Sequence, residues 1–180
     1  MADFPLTETG RIQAEALAKR IAEEYQLEEL ICSPLLRARQ TADAISKAAG
    51  VAVAEDSRLR EKSYGILGGL TFQEAEEQFP MYDGRRLQVH EAVPEGESFL
   101  QQFERVAEFW YSLYYGKDER SLGLVTHGGV IQCLYRAALG LSVDSPHVFL
   151  NGDTAVHEWL VQPGGAVRVM FANSTSHLRA

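Results

Sequence analysis

The chain has 180 residues, 46% hydrophobic and 23% charged, the composition of one ordinary globular domain rather than a multidomain machine. With 17 basic against 25 acidic side chains the formal charge is −8, so the basic excess that bulk DNA or RNA binding needs is lacking. Cys32 and Cys133 lie in apolar runs and read as buried thiols of a reducing, cytoplasmic compartment; no apolar stretch nears the ~20 residues of a membrane helix, and no secretory segment is expected after Met1.

From Thr7 to about Glu24, the residues Ile12, Ala16, Leu17 and Ile21 recur at helical spacing opposite Glu8, Arg11, Lys19, Arg20 and Glu23. Leu30-Ile31-Cys32 is a short strand closed by Ser33-Pro34, and a helix from Leu35 to Ala49 follows until Gly50 stops it. Val51 to Ala54 reads as a further strand, whereas Asp56 to Gly69 has no periodicity and is a loop of the kind that carries function. Thr71 to Glu74 and Ser98 to Gln101 each have the capping-box form that starts a helix. In the second of these helices Phe99, Phe103, Val106, Trp110 and Leu113 form one apolar stripe running toward Gly116. Between them, Pro80 to Pro94, with Gly84 and Arg85-Arg86, is a surface excursion where substrate choice could reside.

Leu122 to Thr126 is a buried-type strand that runs into His127-Gly128-Gly129 and then a helix bearing Val130, Cys133, Leu134 and Ala137. Ala155 to Leu160 and Ala166 to Phe171 flank Pro163-Gly164-Gly165, a hairpin expected to be the sheet's last pair. Strands alternating with helices predict a single α/β domain over residues 1–180, a three-layer α/β/α sandwich around a mainly parallel, mixed sheet.

Three clusters place polar groups at the carboxyl ends of strands, where open α/β sheets bind ligands. Arg37 lies in the first turn of a helix that follows a strand, where a guanidinium meets an anion beside free backbone N–H groups; the plain alternative is a solvated surface arginine. Glu61, in the aperiodic loop, could exchange a proton, or could be an ordinary solvated glutamate. His127 followed by Gly128 and Gly129 has the form of a small anion nest beside an imidazole, and equally that of a structural histidine bonded to a carbonyl.

Taken in order, these segments resemble the histidine phosphatase superfamily, also called the phosphoglycerate-mutase-like family. Pro5 to Gly10 with Gln13-Ala14 is similar to its first helix, Ser33 to Ala42 to its S-P-L-x-R-A-x-Q-T-A segment, and Leu59 to Gly65 to its acid loop. Pro94 to Ser98 resembles its long-helix start, Val125 to Gly129 its second histidine motif, and Asn151 to His157 with Asn173 to Leu178 its closing segments. The resemblance implies a metal-independent phosphomonoesterase, without cofactor, that acts through a phosphohistidine on a small phosphorylated metabolite. On it, Arg37 would hold phosphoryl oxygens, with Gly128 at the same anion site. Glu61 would be the general acid, His127 would stabilise transition-state charge, and Tyr64 would contact substrate. It is compatible with a homodimer and implies neither nucleic acid nor membrane as partner.

Two departures stand out. The family's R-H-G motif, which ends its first strand and supplies the nucleophilic histidine, has no counterpart in the chain, whose only His-Gly pair is His127-Gly128. The expectation is therefore an N-terminally shortened protein, missing that strand and inactive as it stands, with unpaired sheet neighbours where the strand belongs. Leu67-Gly68-Gly69-Leu70 replaces the family's L-E-G-L, which removes a carboxylate at Gly68 or marks a tight turn of positive φ. The other readings are a catalytically degenerate member that binds phosphorylated metabolites or a protein, a phosphoglycerate mutase, and a domain that pairs with another chain by strand addition.

Overall fold

Thr7 opens α1 (Glu8–Glu24) by accepting the Gly10 N–H on its hydroxyl at 3.1 Å, in the computed structural model, which describes residues 3–82, 87–113 and 119–179. The chain then forms β1 (Glu29–Cys32), α2 (Leu36–Ala49), β2 (Val53–Glu55), α3 (Phe72–Gln78), α4 (Phe99–Ser112), β3 (Leu122–Val125) and α5 (Gly128–Leu139). A hairpin of β4 (Val156–Val161) and β5 (Val167–Ser174) closes it. Both predicted capping boxes are present, at Thr71 with Glu74 and at Ser98 with Gln101. Gly84, Arg85-Arg86 and Gly116 lie outside the described residues.

β2, β1 and β3 form a parallel sheet in that order, with Leu30 opposite Val53 on one side and Gly123 on the other. Successive strand residues point to opposite faces, so each strand serves two cores. Leu30 and Cys32 enter a core with Leu17, Ala18, Ala42 and Ile45 of α1 and α2, and Val125 packs against it. Ile31 and Leu124 face the other way, onto Val106, Phe109, Val130 and Cys133 of α4 and α5. The three-layer α/β/α architecture follows from that alternation.

Two expectations need correction. The strand predicted from Val51 begins at Val53, because Ser46 on α2 donates its hydroxyl to the Val51 carbonyl at 2.6 Å and so removes that residue from the ladder. The hairpin is not the sheet's last pair: β4 and β5 form a separate antiparallel sheet. Side chains hold the hairpin in place. Trp159 meets Trp110 and Tyr135 edge-on at ring separations of 5.5 and 4.5 Å. Tyr25 donates to Glu158 at 2.8 Å and Arg20 to the Ser174 hydroxyl at 3.0 Å. Between β3 and β4 runs a cleft of about 1950 Å³, lined by both strands and by Leu17 and Ile21 of α1 and Ile131 and Leu134 of α5.

The loop after β2 carries two single 3-10 turns, Ser57–Leu59 and Gly65–Leu67. Leu59, wholly buried, plugs it into the α4–α5 core. Gly65 has φ +49, and a Cβ there would collide with the Pro94 carbonyl, so glycine alone lets this loop lie against residues 94–96. Leu67 to Leu70 is a tight turn closed by the Leu70 N–H on the Leu67 carbonyl at 3.2 Å; its positive φ, +93, falls on Gly69, while Gly68 has φ −64.

Ser98 is 2% exposed and opens the long α4, whereas Thr71 caps a seven-residue exposed helix. Ser98→Ala is expected to lower unfolding free energy by about 1 kcal/mol in urea titration and Thr71→Ala by less than about half of that.

Candidate functional site

Parallel pairing sets Cys32 beside Val125, and the Ser33 N–H continues the ladder to the Val125 carbonyl at 2.9 Å. The chain therefore leaves β1 and β3 at the same end, and α2 and α5 both start there. Ser33, wholly buried, and His127, 8% exposed, meet at that edge with Oγ 2.8 Å from Nε2. Ser33 Oγ also accepts the Leu35 N–H at 3.3 Å, which leaves the hydroxyl proton free to go to the imidazole. Arg37, second residue of α2, is half-buried, and its guanidinium has no hydrogen-bond or ion-pair partner among the described residues. The first N–H of α2, on Leu36, is capped by Asp3 at 2.8 Å.

Glu61 comes to the same place from the loop. Thr126 donates its hydroxyl to the Leu59 carbonyl at 2.8 Å, tying the loop to the end of β3. Arg105 on α4 donates to the Arg58 carbonyl at 2.6 Å and to the Glu61 carbonyl at 3.4 Å, while a two-toothed ion pair with Glu97 at 2.6 and 2.8 Å orients it. The Glu61 carboxyl accepts three N–H groups. Gly129 donates to Oε2 at 3.1 Å; Gln102 Nε2 and the Lys62 N–H each donate to Oε1 at 2.8 Å. A Cβ on Gly129 would collide with Glu61 Oε1, whereas one on Gly128 would meet nothing within 4 Å. The N-terminus of α5 is thus closed by Glu61 on one side and open on the other.

Arg37, Glu61, His127 and Gly128 line one end of the cleft between β3 and β4. Tyr64 is not part of that lining. It is half-exposed, with the Lys62 ammonium 5.0 Å from its ring centre, and burial followed by the Glu61 charge raises its hydroxyl above the usual range. Burial above all, and then Arg37, pushes His127 down to about 4; Glu61 opposes this, Arg105 adds to it and Asp3 opposes it. His127 is therefore a neutral ring at neutral pH. Burial likewise pushes the thiols of Cys32 to about 11 and Cys133 to about 12, so neither offers a thiolate there.

An uncompensated guanidinium, a helix N-terminus, a neutral imidazole and a carboxyl group around one opening suit a tetrahedral oxyanion whose ester oxygen must leave with a proton. Two contributors were not singled out from the sequence: Ser33 and Gln102. The last had a signal, a polar residue on the apolar face of α4, 1% exposed beside Val106.

The family model described as the histidine phosphatase superfamily (branch 1) matches residues 1–174. The probable phosphoglycerate mutase GpmB of Serratia proteamaculans is 34% identical over 144 residues, 77% of this chain, and the chain spans 65% of that relative's length. Phosphoglycerate mutase-like protein 4 of Arabidopsis thaliana is 31% identical over 181 residues, covering 92% of this chain and 76% of its own. Among solved structures, a mycobacterial glucosyl-3-phosphoglycerate phosphatase complexed with VO3 matches with TM-score 0.83 at 29% identity, covering 96% of this chain and 88% of that one.

The depressed His127 has a consequence for stability. Between its ordinary value of 6.5 and about 4, the unfolded chain carries the imidazolium and the folded chain does not, so unfolding takes up a proton. Stability is then expected to fall as pH drops from 6.5 toward 4. His157 and His177 are lowered too, so the contribution of His127 is the difference between wild type and His127→Gln. Urea unfolding at pH 7.5 and pH 5 should show the variant losing less stability than wild type; parallel losses would remove the assignment.

Proposed function

The chain belongs to the histidine phosphatase superfamily, and from that premise we propose that its site binds the phosphoryl group of a small phosphomonoester and supplies the acid–base half of its hydrolysis. The observation that carries this reading is Arg37, a charged side chain held at a helix N-terminus beside His127 with no partner among the described residues to neutralise it. A phosphoryl dianion is the complementary charge.

In the proposed reaction an imidazole attacks phosphorus as the P–O ester bond breaks, and the proton of Glu61 goes to the departing oxygen. Water then attacks the phosphohistidine, the P–N bond breaks, and Glu61 takes back the proton. Arg37 holds the equatorial oxygens, and His127 shares their charge by hydrogen bonding. Arg37 supplies the positive charge for this task, and His127, a neutral ring, supplies a hydrogen bond.

The attacking imidazole is not His127, which is buried against Ser33; of the other four histidines only His157 lines the cleft, and its Nδ1 is tied to Tyr135. His147 bonds to Ser145 at 2.7 Å, His157 to Tyr135 at 2.9 Å and His177 to Thr154 at 3.0 Å, while His90 is exposed in the 80–94 excursion. The reading therefore treats residues 1–180 as one N-terminally incomplete domain. Its nucleophile would arrive on a strand in the cleft between β3 and β4, whose far end opens at Arg37 and Glu61. That none of these histidines is assigned the attack favours, as the alternative, a member that binds phosphorylated metabolites without turnover. Phosphate transfer between two positions of one substrate, as in a mutase, would use the same anion site. No helix among the described residues is long and apolar enough to cross a membrane, and the two buried free thiols support a cytoplasmic setting.

Orthovanadate binding, followed by calorimetry, tests the reading. The 180-residue chain is expected to bind it, and Arg37→Ala to weaken binding at least tenfold, about 1.4 kcal/mol. Unchanged affinity in that variant would sink the phosphate site. With an aryl phosphate in excess chelator the chain is expected to release no phosphate above buffer; release would remove the need for an outside imidazole.

A further inference from the structure

We infer that Gln102 is a positioning residue for Glu61, holding its carboxyl against the N-terminus of α5 in both of its protonation states; the inference rests on the proton-donating role proposed for Glu61. Gln102 is 1% exposed on the face of α4 that otherwise buries Val106, Phe109 and Trp110. A primary amide in such surroundings costs about 1–3 kcal/mol unless its polar atoms are paired, so packing alone would favour leucine or methionine there. The amide is instead aimed at Glu61, with Nε2 2.8 Å from Oε1.

The bond completes a three-sided cradle. Gly129, at the start of α5, holds Oε2 at 3.1 Å, and Gln102, from α4, holds Oε1. The two oxygens are thus fixed from two different helices, which sets the plane of the carboxyl. A Cβ on Gly129 would lie 3.0 Å from Gln102 Nε2 and would collide with Glu61 Oε1, so the three groups are in mutual contact. Arg105, three residues along α4, holds the loop backbone at Arg58 and Glu61 and is itself neutralised by Glu97. Backbone placement thus falls to Arg105 and carboxyl orientation to Gln102.

The choice of an amide has a chemical reason. A lysine or arginine at this position would hold only the carboxylate and would oppose its protonation. Glutamine carries a donor and an acceptor on one carbon. Turned by 180°, its carbonyl accepts the O–H of the protonated acid where its NH2 had served the carboxylate. A group that must give up a proton and regain it keeps a partner throughout. The other charged or titratable groups around Glu61 are His127, Arg105, Lys62 and Tyr64, and among the described residues none of their side chains hydrogen-bonds the carboxyl.

The Gly129 amide reports on the carboxyl directly, without any need for turnover. In the 15N-labelled 180-residue chain its proton shift is expected to step as pH is lowered through the protonation of Glu61, and Glu61→Gln should abolish the step, which separates it from the titration of His127. Gln102→Leu, and Gln102→Met if the leucine variant fails to fold, should reduce the step to less than half while amide shifts along β1 stay in place. A full step in either folded variant, or no step in the wild type, would overturn the inference. Because the readout is independent of phosphate binding, it can fail while the vanadate result stands, and the reverse holds as well.

Discussion

The pairing of β1 with β3 is the constraint on which the site depends. Four parallel rungs, from Glu29 against Leu122 to Cys32 against Val125, bring two segments of distant sequence to the same end of the sheet, and the Ser33 N–H adds one more bond to Val125. From that edge the chain departs twice into helices, so one place receives two helix N-termini, Arg37 from the first and His127 from the second. A shift of one rung would turn Leu30 and Cys32 away from the α1–α2 core and would also part Ser33 from His127. The packing that stabilises the sheet and the geometry that forms the site are set by the same register.

Within that frame the charges are arranged unevenly. Glu61 is saturated with donors, Arg105 is neutralised by Glu97, and Arg58 is paired with Asp56 at 2.6 Å. Arg37 is left without a partner among the described residues, and its positive charge joins burial in keeping His127 neutral. An anion between them would relieve both effects at once, since it compensates the guanidinium and favours a proton on the ring. The paired arginines fix the loop, and the unpaired one is available to a ligand. Net charge has no bearing on this, because Arg37 and two helix N-termini meet at the site although the chain as a whole is acidic.

How much of this was legible in the sequence follows the distance over which each feature is decided. α1, α2 and α4 follow from apolar spacing and from caps within a few residues, Thr7, Gly50 and Ser98, and they lie where the sequence places them. Arg37, His127 and Gly128 converge because each follows a strand end that the pattern reveals, and Glu61 joins them because Thr126 and Arg105 tie its loop there. The partners that tune them were not legible. Ser33 and His127 are 94 positions apart, Gln102 and Glu61 are 41 apart, and no local preference records either bond. β2 starts late because Ser46, five residues back on the preceding helix, takes the Val51 carbonyl, a side-chain contact that the alternation of Val51 and Val53 does not record.

The hairpin illustrates the same limit and links it to function. Its internal pairing was readable from alternation around Pro163-Gly164-Gly165, but its neighbour was not, since sheet order is a property of the whole chain. Trp159, Glu158 and Ser174 anchor it to Trp110, Tyr135, Tyr25 and Arg20 rather than to another strand. The edge of β3 not paired with β1 and the edge of β4 not paired with β5 have no strand partner among the described residues, and the cleft of about 1950 Å³ runs beside them to Arg37, Glu61 and His127. Because the helices clamp the hairpin from outside, that cleft does not have to close for the flanking layers to pack. An extended segment entering it would meet backbone groups suited to a ladder and would reach Arg37, Glu61 and His127 at its end, which is where the proposed reaction needs an attacking imidazole.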